Sequence, residues 1–216
     1  MTPAELTLWA HIVAGFVALF SGLGAFLTEK GGLRHRRLGR AYVYAMAFVS
    51  GSSLALFAFE ATALRRFLGL VAVFSFYFAF SGYRVLGRKR PDDDATAVDW
   101  VAAGLVCAAS VGLLVLGGAM ALGGESFAPM ALVFGGIGAV FAGTDALKFR
   151  RERDGGVWVA EHVTRMGAGY IATVTAFATV NFWFLPSVVR WLGPTVLGTP
   201  VLIYLSGAYE EKFAPG

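Results

Sequence analysis

The chain has 216 residues, of which 57% are hydrophobic and only 15% are charged. A soluble domain is about half apolar and a quarter charged, so this composition excludes an ordinary soluble protein. The net charge of +4 does not indicate a nucleic-acid partner, because the basic residues lie at the ends of apolar runs, where membrane topology explains them. The single cysteine, Cys107, excludes an intramolecular disulfide and a thiolate metal cluster.

Seven apolar runs approach the roughly 20 residues that a transmembrane helix needs. The runs are Leu6 to Leu27, Ala41 to Phe59, Phe67 to Tyr83, Trp100 to Gly124, Ser126 to Thr144, Met166 to Val189 and Trp191 to Tyr209. None contains Lys, Arg, Asp or Glu, and each is apolar on all sides, as expected of a helix surrounded by lipid or by other helices. We predict an all-α integral membrane protein in which residues 1–216 form one bundle of seven transmembrane helices.

The basic residues predict the orientation of this bundle. Fifteen of the 18 lie on one set of alternate loops, and the other set has only Arg65, Arg66 and Arg190. Cytoplasmic loops carry the excess of Lys and Arg, so we expect the N-terminus outside and the C-terminus in the cytoplasm. Interfacial tryptophans fit this orientation, with Trp9, Trp183 and Trp191 at the outer interface and Trp100 and Trp158 at the inner one.

The last run contains a pair of prolines, Pro194 and Pro200. Proline removes a backbone donor, so we expect the seventh helix to be interrupted here. The interruption is either a local kink that neighbouring helices stabilise or an unwound segment that binds a solute.

The chain has three histidines, and imidazole is the commonest metal ligand. We expect His35 and His162 to open the second and sixth helices on the cytoplasmic side. Helical spacing puts Gly39 and Gly169 on the same faces, which predicts room for a bulky group beneath each ring. His11 lies near the outer end of the first helix and is too distant to share an ion with the other two, so we predict a hydrogen bond to a carbonyl; a proton path is the alternative.

Carboxylates lie at the same predicted level as the inner histidines. Asp145 ends the fifth helix, where the helix dipole disfavours negative charge, so it requires a cationic partner such as Arg40, Arg84 or Arg165. Asp99 begins the fourth helix, where the dipole favours it. A ring of ion pairs that only holds the helices together is the simplest interpretation of this group.

A second interpretation makes His35 and His162 a ligand pair on facing helices. Two axial imidazoles could hold a haem, whereas two imidazoles with Asp145 or Asp99 could hold zinc or iron with an open position. No single helix carries a His-x-x-x-His or Glu-x-x-His pair. The sequence therefore leaves the cofactor open between haem and a transition metal.

Several motifs occur together along the chain. They are His11 to Gly15, Gly32 to Gly39 with Val43 to Met46, Phe76-Tyr77 with Ser81-Gly82 and Arg84, Asp145 near Arg150, and His162 to Met166 with Ile171 to Thr173 and Thr175 to Phe177. This set resembles a family of predicted bacterial membrane proteins, domain of unknown function twenty-three-oh-six, over nearly the whole chain. The resemblance implies a multi-pass protein of the bacterial inner membrane with no named activity.

The family pattern has histidines at the positions of His11, His35 and His162. The resemblance therefore implies that these three have a role beyond that of ordinary interfacial residues. The chain departs from the pattern at Val180-Asn181, where a glycine-glutamine ending is expected.

Our leading hypothesis is a pocket on the cytoplasmic side that binds a metal, a haem or a small anionic ligand, with a redox role. Its predicted residues are His35, Arg36, Arg84, Asp145, His162 and Arg165, and the metal ligands among them are His35, His162 and Asp145. The alternatives are a transporter or channel for a small solute or proton, a membrane enzyme acting on a lipid or quinone, and a structural subunit. Expected partners are membrane lipids, a small-molecule ligand and further copies of the chain, and no nucleic acid.

Overall fold

A computed structural model describes residues 1–90, 92–150 and 157–213. These residues form seven helices, α1 Pro3–Leu27, α2 Leu33–Phe59, α3 Ala63–Arg84, α4 Ala97–Leu122, α5 Ala128–Lys148, α6 Val157–Asn181 and α7 Ser187–Phe213, with a 3-10 turn at Val85–Gly87. No strand occurs in this part of the chain. The prediction of an all-α fold is confirmed.

Six of these helices, α1 to α5 and α7, are long and apolar enough to cross a membrane. The exception is α6, which has 25 residues but carries Glu161, Arg165, Asn181 and several threonines. These polar residues lower its mean hydropathy, although its length would suffice. The structure therefore supports a membrane protein with several apolar helices.

The predicted boundary between the sixth and seventh runs was wrong. The sixth helix ends at Asn181 and the seventh begins at Ser187, so the turn 182–186 lies inside the run that was assigned to one helix. Four of its five residues are Phe182, Trp183, Phe184 and Leu185, and hydropathy alone does not distinguish such a turn from a span. Arg190, which separated the predicted runs, lies in the first turn of α7.

The prolines do not interrupt α7, which is helical from Ser187 to Phe213 with Pro194 and Pro200 inside it. Close packing supports this segment, because a Cβ atom added at Gly198 would lie 2.7 Å from the side chain of Ile171 on α6. The prediction of an unwound binding segment is therefore wrong for this helix, and one argument for a transporter disappears.

Helices that are consecutive in the chain pack against each other, except α5 and α6; α6 also contacts α3 and α1, and α5 has small contacts with α3 and α7. Helices α1, α2, α3 and α6 thereby form a four-helix bundle. The α4–α5 pair packs on α3, and α7 packs on α6. We call the end that carries His35 and His162 the histidine end, and the opposite end the Trp191 end.

Two clusters of buried side chains hold these helices together. The four-helix bundle encloses Ala18, Tyr42, Val43, Ala45, Met46 and Ala79. A more aromatic cluster joins α3, α4, α5 and the start of α7, and Trp191 belongs to it, with its ring centroid 5.4 Å from those of Phe67 and Phe127. Trp191 is only 9% exposed, so its ring packs inside the protein.

Candidate functional site: a histidine pair at the end of the bundle

The structure brings His35 and His162 together across the four-helix bundle. His35 lies in the first turn of α2 and His162 in the second turn of α6. Their ring centroids are 6.3 Å apart, and the ring planes are inclined by 73°. The two helices are diagonal neighbours in the bundle, because each contacts α1 and α3. Both rings are half-buried.

Each histidine donates one hydrogen bond to the end of another helix. The Nδ1 atom of His35 lies 2.9 Å from the carbonyl oxygen of Ala25 in the last turn of α1. The Nδ1 atom of His162 lies 2.8 Å from the carbonyl oxygen of Gly82 in the last turn of α3. A carbonyl oxygen only accepts, so the proton is on Nδ1 in both rings. The last carbonyls of a helix lack partners within it, and these imidazoles satisfy two of them.

The second nitrogen of each ring, Nε2, has no hydrogen-bond partner within residues 1–90, 92–150 and 157–213. In a neutral imidazole with the proton on Nδ1, Nε2 carries a free lone pair. A hydrogen bond from the other ring N–H to a carbonyl is the usual support of a metal-binding histidine. Both rings are therefore held in the tautomer that a metal requires.

The spacing of the rings also suits one ion between them. Imidazole nitrogen binds a transition metal at about 2.0 Å, so two rings on opposite sides of one ion have their centroids about 6 Å apart. The observed separation of 6.3 Å allows this arrangement, and at an inclination of 73° it is also the separation of a direct edge-to-face ring contact.

The space around the two rings differs from the prediction. A Cβ atom added at Gly39 would meet nothing within 4 Å, so there is room beside His35. The prediction was wrong for Gly169, where a Cβ atom would lie 3.0 Å from the hydroxyl oxygen of Tyr42. That hydroxyl is 3.1 Å from Thr173 Oγ1 and closes the bundle core below the pair.

A three-ligand metal site finds no support in the described part of the chain, which contains no group of three or more His, Cys, Asp or Glu side chains placed to hold a metal. Asp145, the predicted third ligand, is fully buried and accepts hydrogen bonds from the Tyr77 hydroxyl and the Arg165 guanidinium. Arg165 also donates to Asp145 Oδ2 at 2.8 Å and to Ser81 Oγ at 3.0 Å. Of the three predicted cationic partners of Asp145, Arg165 is the one found.

Arg84 belongs to a different ion pair. Its Nε and Nη2 atoms lie 3.0 Å and 2.9 Å from the two carboxylate oxygens of Asp99. Asp99 also accepts from the backbone N–H of Thr96 at 2.9 Å, so it caps the start of α4 as its position predicts. Arg36 is exposed at the surface of α2. The six predicted pocket residues thus divide among the histidine pair, two separate ion pairs and the surface.

His11 lies apart from this group. Its Nδ1 atom is 2.9 Å from Ser52 Oγ on α2. The Ser52 hydroxyl donates to the carbonyl of Phe48 at 2.7 Å, so it accepts from the imidazole. His11 also has a hydrogen bond to the backbone of Val49, so the predicted carbonyl partner is present beside this serine.

Sequence reasoning missed Tyr77 and Ser81, which complete the surroundings of Asp145 and Arg165. The two are four residues apart on α3 and share one face. That spacing was the available signal, but hydroxyls at membrane depth usually bond their own helix or a neighbour, so it did not distinguish them.

Residues 8–144 match the family described as Predicted membrane protein (DUF2306). The match includes His11 and His35 but ends before Asp145 and the whole of α6 and α7. No curated protein and no solved structure matches the chain. The matched segment is more than half of the 216 residues, and the chain therefore belongs to the DUF2306 family of predicted membrane proteins.

Proposed function

We propose that His35 and His162 bind one transition-metal ion through their Nε2 atoms, either as the iron of a haem or as a bare ion, and that the protein has a redox role where that ion is iron or copper. The observation that carries this proposal is that the two rings lie close together and have the same tautomer. Each donates Nδ1–H to a helix-terminal carbonyl, and the rings stand 6.3 Å apart.

A small anionic ligand has less support. Of the three arginines predicted to assist the two imidazoles, Arg36 is exposed and the other two are neutralised elsewhere. Arg84 pairs with Asp99, and Arg165 pairs with Asp145. The metal is therefore the better candidate.

The test is absorption spectroscopy and metal analysis of the full chain purified in mild detergent, before and after incubation with haemin or with zinc, iron and copper salts. A haem site gives a Soret band and one haem per chain. A bare-ion site gives one metal per chain without a Soret band. If neither haem nor a metal binds stoichiometrically after incubation, the proposal is wrong.

Asparagine variants separate metal binding by the two histidines from their hydrogen bonds to helix ends. In His35→Asn and His162→Asn the amide nitrogen can replace the Nδ1–H donor, but nothing replaces Nε2. Both variants should fold and lose the metal or haem. His11→Asn is the matched control, because His11 is also a helix histidine with a hydrogen-bonded Nδ1; it should keep the metal. Retention of the metal by both asparagine variants at the pair would contradict the proposal.

We also propose that all seven helices span the inner membrane of a bacterium, with the N-terminus outside and the C-terminus in the cytoplasm. Two features support α6 as the seventh span. It lies between α1, α3 and α7, and its Arg165 is neutralised by Asp145. Reporter fusions at both ends should place the two termini on opposite sides of the membrane. Termini on the same side would leave six spans.

Transport and catalysis on a lipid or quinone stay predictions from the sequence. The core between His11 and the histidine pair contains Tyr42 and Met46, which are 1% and 4% exposed. No described contact favours a solute path through this core.

A further inference from the structure

A chamber of about 980 Å³, which is open on one side, lies outside the histidine site and is lined by residues of α3, α5, α6 and α7 and by His11 of α1. The backbones of α5 and α6 do not come into contact along the chamber. They are joined at the histidine end by the Asp145–Arg165 ion pair. At the Trp191 end, α5 meets α7 through the rings of Phe127 and Phe134, which contact Trp191. The chamber is thus bracketed at both ends and bounded by helices on several sides.

The chamber is long and mainly apolar. Its lining on α7 extends from Trp191 to Glu210, which at 1.5 Å per residue is about 28 Å. This is close to the thickness of the hydrocarbon core of a bilayer, about 30 Å. Apolar wall residues on the other helices include Val71, Phe74, Ile137, Val140, Ile171 and Ala172. These dimensions suit an extended hydrocarbon chain better than a compact solute.

Two hydroxyl groups in the wall lack partners. Thr195 and Thr199 of α7 line the chamber, and neither side chain has a hydrogen bond within the described ranges. A threonine in a helix usually bonds the carbonyl four residues earlier, as Thr173 and Thr175 do on α6. Thr195 is half-buried and Thr199 is exposed, so in the apolar interior of a bilayer, where an unpaired hydroxyl is costly, a ligand with carbonyl oxygens would stabilise both.

A cation lies beside the same end of the chamber. Arg190 Nη1 donates to the carbonyl of Thr179 at 2.9 Å, and Thr179 lines the chamber. The Nε atom of Arg190 is buried and has no hydrogen-bond partner in the described structure. The carboxylate of Glu210 lies at the opposite end of the lining. This charge difference orients an anionic headgroup towards the Trp191 end.

We propose that the chamber binds one phospholipid with an anionic headgroup. Its phosphate lies at Arg190, its ester carbonyls accept from Thr195 and Thr199, and its acyl chains extend along α7 towards the histidine end. The two threonines lie about 7 Å and 13 Å farther along the helix than Arg190, at 1.5 Å per residue, so the groups follow the order phosphate, ester, chain. This site does not depend on the histidine pair.

Native mass spectrometry of the detergent-solubilised full chain, titrated with phosphatidylglycerol, tests the proposal. We expect one tightly retained phosphatidylglycerol per chain. Arg190→Gln should weaken binding about tenfold, the loss expected for one charge-assisted hydrogen bond. Arg66→Gln is the matched control, because Arg66 is exposed at the same end of the bundle; it should bind as the parent does.

A second pair of variants tests the chamber itself. A Cβ atom at either Gly136 or Gly104 would meet nothing within 4 Å, but only Gly136 lines the chamber. Gly136→Trp should place an indole ring in the chamber and weaken retention, whereas Gly104→Trp should not. Thr195→Val adds no bulk and should weaken binding severalfold, which keeps the test valid if the tryptophan variant fails to fold.

Four results would overturn the proposal. Equal retention by all variants would mean ordinary annular lipid, and no retention by the parent chain would mean no lipid site. Displacement of phosphatidylglycerol by ubiquinone, without dependence on Arg190, would assign the chamber to a neutral isoprenoid. Dimer cross-links through cysteines placed along the chamber would assign it to a second copy of the chain.

Discussion

The histidine pair and the Asp145–Arg165 pair lie at the same end of the bundle, and each joins α6 to neighbouring helices. They differ in how completely their polar atoms are used. Asp145 accepts from both Tyr77 and Arg165, and Arg165 also donates to Ser81. Each histidine uses one of its two nitrogens. A buried group whose hydrogen bonds are satisfied by the protein holds the fold together, whereas one that keeps a lone pair can bind a ligand.

The largest effect on stability is expected at the Asp145–Arg165 pair, whose hydrogen bonds are satisfied by the protein. Arg165→Met leaves the Asp145 carboxylate buried without its cation, which typically costs about 3–5 kcal/mol. We expect a correspondingly large fall in the thermal midpoint of the detergent-solubilised protein. The double variant Asp145→Leu/Arg165→Met removes both charges and should recover most of the loss. A single variant as stable as the parent would show that the pair does not stabilise the fold.

A smaller effect on stability is expected at the histidines. His35→Ala removes one hydrogen bond and should lower the free energy of unfolding by about 1 kcal/mol. His35→Asn should lower the free energy of unfolding by less, because the amide can still donate to the carbonyl of Ala25. Thermal unfolding measured beside metal content would show whether stability and binding separate. If both variants lose several kcal/mol, the histidine is structural in the same sense as Arg165.

The ion pair between Arg84 and Asp99 should contribute less than the buried pair despite its similar geometry. The Arg84 side chain is 33% exposed, compared with 5% for Arg165, whereas both carboxylates are buried; Asp99 keeps two hydrogen bonds from Thr96 when Arg84 is replaced. Solvent weakens such a pair to about 1 kcal/mol or less. Arg84→Gln should therefore change the thermal midpoint only slightly. A loss equal to that of Arg165→Met would mean that burial does not distinguish the two pairs.

The smallest effects are expected at two glycines beside these groups. Gly39→Ala should stabilise α2 by about 0.5–1 kcal/mol, because alanine is the better helix former and the space is open. Gly82→Ala should instead destabilise, since its Cβ atom would lie 3.0 Å from Met166 and 3.1 Å from the Cβ atom of Arg165. Chemical denaturation of both variants measures the difference. Equal effects would indicate that the two surroundings are packed alike.

The sequence was sufficient for the features that depend on composition and on position along a helix. Long uncharged runs predicted the helices, and their order put His35, His162 and Asp145 at one end. Asp145 at a helix C-terminus predicted a cationic partner, and Arg165 is that partner. Each of these conclusions follows from the position of a residue along its helix.

The features that the sequence did not predict depend on how each helix is rotated about its axis. A run that is apolar on all sides does not specify which face points inward. For this reason Gly39 and Gly169 were treated alike, although Tyr42 packs against only one of them. The same ambiguity hid Tyr77 beside Asp145, and the apolar residues Phe182 to Leu185 concealed the turn before α7.

The ion pair between α5 and α6 also bears on how the chain enters the membrane. A charged residue within a transmembrane helix costs about 2.5–3.5 kcal/mol on insertion scales, and α6 is the helix that falls below the hydropathy of a span. Asp145 on the preceding helix is synthesised first and neutralises Arg165. The proposed seven-span topology therefore predicts that insertion of α6 requires the Asp145 carboxylate of α5, so that replacing this one residue would change the side on which the C-terminus lies.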